Sequence, residues 1–208
     1  RWLNAISKYK ATISGGPNFA YELCNRRISD DDKKQLDLSS WQVAYCGAER
    51  INADVVKRFN KNFEPQGYNK NAFLTCYGLA ESCLMVAGAN ASRGPILNDF
   101  DNQMLGKGHA QQTQSGRTLV GCGQPRPYQK LAIVNPDSLL RLEDNSIGEI
   151  WVHGNSIAKG YWKNSEKTRE TFAARIVGED PSVHYLRTGD LGFMSKGELY
   201  ITECRYCM

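Results

Sequence analysis

The chain has only three histidines in 208 residues, and His109, His153 and His184 stand far apart. No Ser/His/Asp order forms around them, so a hydrolase triad has no support and a surface or strand role is expected for each. No stretch approaches the roughly 18 consecutive apolar residues that a membrane helix needs. No signal peptide is expected either: the chain opens Arg1-Trp2-Leu3-Asn4, without an initiator methionine or an apolar run of the right kind. That opening reads as an internal piece of a longer protein. Charge is not concentrated anywhere. The net value is +4 and the basic residues are scattered, so a nucleic-acid footprint is excluded as an expectation. The run Asp30-Asp31-Asp32-Lys33-Lys34 changes sign midway and reads as a solvated loop.

Seven cysteines are an odd number for a disulfide framework. Cys24, Cys46, Cys76 and Cys83 sit among apolar neighbours and read as small core residues in a reducing, cytoplasmic setting. Cys204 and Cys207 form a C-x-x-C, but a zinc site needs about four ligands and no second pair stands at a fitting spacing.

What is present is enough for a sizeable core: 41% of the residues are hydrophobic. Trp2, Leu3, Ile6 and Tyr9 recur at helical spacing over Arg1 to Lys10. A short β-favouring stretch, Ala11 to Ser14, leads into Gly15-Gly16-Pro17-Asn18 and a second helix carrying Phe19 and Leu23. This strand, glycine pair and helix start fit an ordinary βα turn, a pocket wall or an anion site. Trp41 to Cys46 reads as a buried strand ending at Gly47-Ala48-Glu49. Asn52 is placed to cap a helix with Val55, Val56, Phe59 and Phe63 on one face, broken at Gly67-Tyr68. Ala72 to Cys76 is another strand, ending at Tyr77-Gly78. Alternation of this kind predicts a mostly parallel sheet covered by helices, with ligands at the carboxyl ends of its strands.

From about residue 91 to 118 Gly, Asn, Gln and Ser dominate, which predicts a long polar loop or small insertion. Beyond Leu119 the pattern is all-β. Lys130 to Val134 and Glu149 to His153 are expected to pair, a short helix to start at Ser165, and glycines to punctuate the strands around Leu191 to Met194 and Glu198 to Thr202. A small distorted β-barrel is the expectation. The chain is thus read as α/β over residues 1–92, an insertion-like loop over 93–118 and a β-barrel-like part over 119–208.

Within that last part, Arg187-Thr188-Gly189-Asp190-Leu191 sets a carboxylate directly after a glycine. Asp190 offers two acceptor oxygens, suited to neighbouring ribose hydroxyls, and a hairpin turn with a capping aspartate is the alternative. Together with Cys76-Tyr77-Gly78-Leu79-Ala80-Glu81 this stretch resembles the adenylate-forming enzymes, and more closely the fatty acyl-AMP ligases. Further blocks follow the family's order: Ser14-Gly15-Gly16-Pro17-Asn18-Phe19-Ala20-Tyr21-Glu22-Leu23-Cys24, Gly47-Ala48-Glu49, and Gly148-Glu149-Ile150-Trp151-Val152 with Ala158-Lys159-Gly160-Tyr161-Trp162. They cover nearly the whole chain.

The resemblance implies ATP and Mg2+ as cofactors and a fatty acid as substrate. It implies an acyl carrier protein, or a carrier domain of a polyketide or nonribosomal peptide synthase, as acceptor. It implies nucleotide contacts from Gly47, Ala48, Glu49, Tyr77, Gly78 and Asp190, with Tyr77 stacked on adenine. It implies a magnesium ligand in Glu81 and an acyl pocket near Gly15, Gly16 and Phe19. The family's phosphate loop is expected upstream of Arg1. Its small C-terminal domain, which supplies the adenylation lysine, is expected beyond the tail Glu203-Cys204-Arg205-Tyr206-Cys207-Met208. No residue of this chain takes that lysine's role, so the chain alone is expected not to be competent. A truncated end, a shifted reading frame and a degenerate gene all fit that tail. The polar segment after Glu81 sits where acyl-AMP ligases carry an insertion that disfavours transfer to coenzyme A. An acyl-CoA ligase is the alternative activity, and an inactive nucleotide-binding remnant the alternative class.

Overall fold

In the computed structural model residues 1–203 are described, so the Cys204 and Cys207 pair lies outside the described residues. Helix α1 (Trp2–Tyr9) leads to strand β1 (Ile13–Gly16), helix α2 (Asn18–Arg27) and the short helix α3 (Asp30–Lys34). Strand β2 (Val43–Cys46), helix α4 (Ala53–Phe63) and strand β3 (Phe73–Leu79) follow, then strand β4 (Leu84–Gly88). β1, β2 and β3 run parallel, while β4 and the two-residue strand β7 (Gln124–Pro125) add antiparallel, giving the order β1-β2-β3-β4-β7.

Trp41 organises this half. Its indole N–H donates to the carbonyls of Val43 at 2.9 Å and Ser14 at 3.1 Å, bridging the two neighbouring strands. Its ring meets those of Trp2, Tyr21, Phe59 and Tyr68. α4 delivers Phe59 because its apolar residues share one face and because the Asn52 side chain accepts from the N–H groups of Asp54 and Val55.

One expectation fails here. Asp30 to Lys34 is a helix, not a loop. Ser29 caps it, three aspartates occupy its first turn and two lysines its last. The sign change that reads as a solvated loop is the charge order a helix dipole favours.

The polar stretch after residue 93 is not irregular either. Strand β5 (Leu97–Phe100), helix α5 (Asn102–Gly106) and strand β6 (Arg117–Val120) form a two-stranded antiparallel sheet with a helical turn in its connection. Phe100 is fully buried against Phe193 and Tyr200, so this sheet packs into the core of the following one.

That following sheet comprises β8 (Gln129–Val134), β9 (Gly148–Gly154), β10 (Leu186–Ser195) and β11 (Glu198–Glu203), in the order β11-β10-β9-β8. Helix α6 (Ser165–Phe172) lies between β9 and β10 in sequence. The expected barrel is therefore an open antiparallel sheet among the described residues. Bulges near Arg187 and Leu191 twist β10, yet the end strands β8 and β11 do not pair with each other. One core runs through both halves, from Leu3 and Phe59 to Ile150 and Leu199. No helix among the described residues is long and apolar enough to cross a membrane. Cys24, Cys46 and Cys122 are buried, but Cys83 is exposed in a left-handed turn rather than in the core.

Candidate functional site

β1, β2 and β3 all end at one cleft of about 670 Å³. Gly16 and Pro17 reach it from β1, Gly47 and Ala48 from β2, and Tyr77 to Glu81 from β3. Ligand clefts in parallel sheets form there because successive loops diverge at the strands' carboxyl ends. Leu84 and Met85 of β4 add apolar wall. Gly78 is required by close approach: a Cβ there would stand 1.5 Å from the Leu84 carbonyl oxygen, so any side chain would force β3 and β4 apart.

Asp190 enters the same cleft from β10, in the other sheet. Its placement is built by the bulge. Gly189 takes a φ of 76°, a left-handed conformation that glycine adopts without a Cβ clash. The buried Glu149 carboxylate accepts from the Gly189 N–H at 3.0 Å and pairs with the Arg187 guanidinium at 2.7 Å. The Thr188 hydroxyl donates to the Ile150 carbonyl at 2.7 Å and accepts from the Asp190 N–H at 3.1 Å. The stretch is thus held off the ladder, and the Asp190 carboxylate meets Tyr77. The Tyr77 hydroxyl donates to Asp190 Oδ2 at 2.7 Å. Burial, and secondarily the Asp190 charge, push the Tyr77 hydroxyl well above the usual phenol range, so it stays a donor. Burial likewise raises the Cys76 thiol, which lines the cleft protonated.

Of the residues singled out from the sequence, Gly16, Gly47, Ala48, Tyr77, Gly78, Glu81 and Asp190 converge on this cleft. Glu49 does not. Its carboxylate accepts from the Phe19 N–H at 2.6 Å, at the start of α2, where the helix dipole favours a negative charge. Phe19 is 57% exposed and outside the cleft. Gly15 is also outside it, against the Tyr45 backbone and ring.

Glu81 is half-buried on a single 3-10 turn, Ala80–Ser82. Among the described residues no group of three or more His, Cys, Asp or Glu could hold a metal ion. One carboxylate beside an open cleft still fits Mg2+, which takes one or two protein carboxylates and fills its shell with water and substrate phosphates. Tyr161 was not singled out as a site residue. It lies 80 positions from Glu81 yet donates its hydroxyl to Glu81 Oε1 at 2.8 Å. Its place in a block shared with the family was the only signal available.

Such a cleft has backbone and aromatic walls for a planar base, and two carboxylates for hydroxyls and a cation. Clefts of this make-up, at the carboxyl ends of parallel strands, are where α/β proteins commonly hold nucleotides. The chain belongs to the AMP-binding enzyme family, whose model matches residues 1–162. It is 42% identical over 210 residues to the medium-chain-fatty-acid–[acyl-carrier-protein] ligase JamA of Moorena producens, covering 97% of this chain and 35% of that protein. It is 41% identical to a 4-hydroxyphenylalkanoate adenylyltransferase of Mycobacterium bovis, covering 97% of this chain and 33% of that protein. The crystal structure of a fatty acyl-adenylate ligase from L. pneumophila, in complex with acyl adenylate and pyrophosphate, superposes with a TM-score of 0.92. It is 42% identical, with 98% of this chain and 36% of that one covered. The chain thus spans about a third of the length of the relatives it matches.

Proposed function

We propose that the protein carrying this chain joins a fatty acid to AMP at the expense of ATP and passes the acyl group to the thiol of an acyl carrier protein. The observation that carries this reading is the convergence of Tyr77 and Asp190, from two sheets, on the cleft where the parallel strands end. The relatives' names, one an acyl-carrier-protein ligase, support the choice of substrate and acceptor.

In this reading the Tyr77 ring lies against adenine, with Gly47, Ala48 and Gly78 as backbone neighbours, and the Asp190 carboxylate accepts from the ribose hydroxyls. A fatty-acid carboxylate oxygen attacks the α-phosphorus. The bond to the β-phosphate oxygen breaks, pyrophosphate leaves, and acyl-AMP remains. The carrier thiol then loses its proton and attacks the acyl carbon, and AMP departs with the bond electrons. Glu81 would hold Mg2+, which offsets negative charge on the phosphates when bound. The apolar wall of Leu79, Leu84 and Met85 suits an alkyl chain entering beside the nucleotide. ATP as substrate and five unpaired thiols among the described residues support a cytoplasmic setting.

The test gives the protein, in its full encoded length, ATP, Mg2+, a medium- or long-chain fatty acid and coenzyme A, and identifies products by mass spectrometry. Acyl-AMP persisting in the presence of coenzyme A, and acylation of an added carrier protein, are expected. Accumulation of acyl-CoA would move the protein to the acyl-CoA ligases. Absence of any adenylate would leave a binding protein.

A further inference from the structure

Glu81 is clasped by a loop from the other half of the molecule. Residues 155–161 follow β9 and meet the Ala80–Ser82 turn at several points. The Ala158 N–H donates to the Glu81 carbonyl at 2.8 Å. Gln129 Nε2 donates to the hydroxyls of Ser82 at 3.0 Å and Ser156 at 2.5 Å, which are themselves 3.3 Å apart. The Tyr161 hydroxyl donates to Glu81 Oε1 at 2.8 Å. The backbone and carboxylate of Glu81 are therefore held by the same loop.

Tyr161 is itself fixed. Its N–H donates to the Thr168 hydroxyl on α6 at 2.9 Å. Its ring packs edge-on against Phe172, with centroids 5.1 Å apart. α6 is in turn capped by the Asn164 side chain, which accepts from the Lys167 N–H. A helix thus orients a tyrosine, and the tyrosine orients a carboxylate at the edge of the cleft.

A glutamate has three side-chain torsions, and its carboxylate would otherwise sample many directions. A purely structural clasp between the two halves is already provided by the Ala158 and Ser156 contacts. The Tyr161 hydroxyl adds something they do not: it fixes the carboxylate itself. Hydrogen-bond partners that orient a metal ligand are a general requirement of metal sites.

We propose that Tyr161 is a positioning residue that holds the Glu81 carboxylate in the direction needed to bind a divalent cation together with nucleotide phosphates. The inference rests on the acyl-adenylate reading above, which supplies the cation and the phosphates.

The test uses the protein in its full encoded length, Mn2+ as the probe and saturating ATP. Electron paramagnetic resonance measures Mn2+ bound to the protein–ATP complex, and calorimetry measures ATP affinity in EDTA. Tyr161→Phe keeps the ring against Phe172, and thermal unfolding checks that its fold is retained. Glu81→Gln is expected to weaken Mn2+ by tenfold or more, and Tyr161→Phe by about three- to tenfold. The double variant is expected to be no weaker than Glu81→Gln, because Tyr161 acts through Glu81. ATP affinity in EDTA is expected to stay unchanged in Tyr161→Phe. If Glu81→Gln weakens Mn2+ while Tyr161→Phe matches the parent, or if the two losses add fully, the positioning role is overturned and the reading of Glu81 survives. If neither variant alters Mn2+, the metal role of Glu81 fails first and takes this inference with it.

Discussion

The Tyr77 hydroxyl donates to Asp190 Oδ2 across 2.7 Å, joining β3 of one sheet to β10 of another. The two residues are 113 positions apart. Both are buried, Tyr77 at 8% exposure and Asp190 at 4%, so neither side chain can exchange this partner for bulk water at low cost. The bond sets where the carboxylate lies relative to the aromatic face within the cleft.

Asp190→Ala is expected to lower affinity for a non-hydrolysable acyl-AMP analogue by about ten- to a hundredfold, since hydrogen bonds to a charged acceptor contribute about 1.5–3 kcal/mol each. Tyr77→Phe keeps the ring and is expected to cost less affinity. It should cost about 1–3 kcal/mol of stability by leaving a buried carboxylate one donor short. Calorimetry and urea unfolding on the two variants separate these effects. Equal affinity in Asp190→Ala and the parent would remove Asp190 from the ribose role.

Glu149→Ala tests the scaffold under that pair. It strands the Gly189 N–H and the Arg187 guanidinium, which Glu149 accepts from at 3.0 Å and 2.7 Å. Arg187 is 36% exposed and regains water, so the loss should fall below the roughly 3–5 kcal/mol of a fully buried pair, at about 2 kcal/mol. The bulge at Gly189 should relax as well, lowering nucleotide affinity without any direct contact. An unchanged urea midpoint would contradict this account.

Phe100→Ala asks whether the β5–β6 sheet is ornament or core. Phe100 lies 5.0 Å from the Phe193 ring and 5.1 Å from the Tyr200 ring, centroid to centroid. Truncating such a residue costs about 3–5 kcal/mol through lost burial and a residual cavity. A loss under about 1 kcal/mol in urea unfolding would mean that this segment is not part of the cooperative core.

Stability should fall at alkaline pH. Burial pushes the Cys24 thiol up from 9.0 to about 11, and burial also raises Cys46 and Cys122. The unfolded chain therefore releases these protons at lower pH than the folded one. The stabilisation is fully present below pH 9 and declines as pH rises towards 11, at up to about 1.4 kcal/mol per unit for each thiol. Urea midpoints between pH 7 and 10.5 measure the decline, and a flat profile would refute it. Cys122→Ala should make the slope shallower.

Much of the α/β half was legible because its signals are local. Helical spacing gave α1 and α4, Asn52 gave the start of α4, and Gly47 marked the end of β2, whereas Gly78, expected at the end of β3, lies within that strand. The blocks at 14–24, 47–49, 77–81, 148–162 and 187–191 together carried the resemblance. Asp30 to Lys34 misled because mixed charge is shared by surface loops and by helices that follow their own dipole. The barrel misled because strands are specified locally while closure depends on which distant edges meet.

Sequence by itself therefore determined most elements of the α/β half, their order and the chemistry on offer: a tyrosine before a glycine, and carboxylates after turns. The tertiary structure decided which of these groups meet. It brought Asp190 to Tyr77 and Tyr161 to Glu81, turned Glu49 to the start of α2, and left Phe19 facing outward. The reason is one of range. Backbone preferences act over a few residues, whereas these contacts arise only after two sheets, far apart in the chain, share one apolar core.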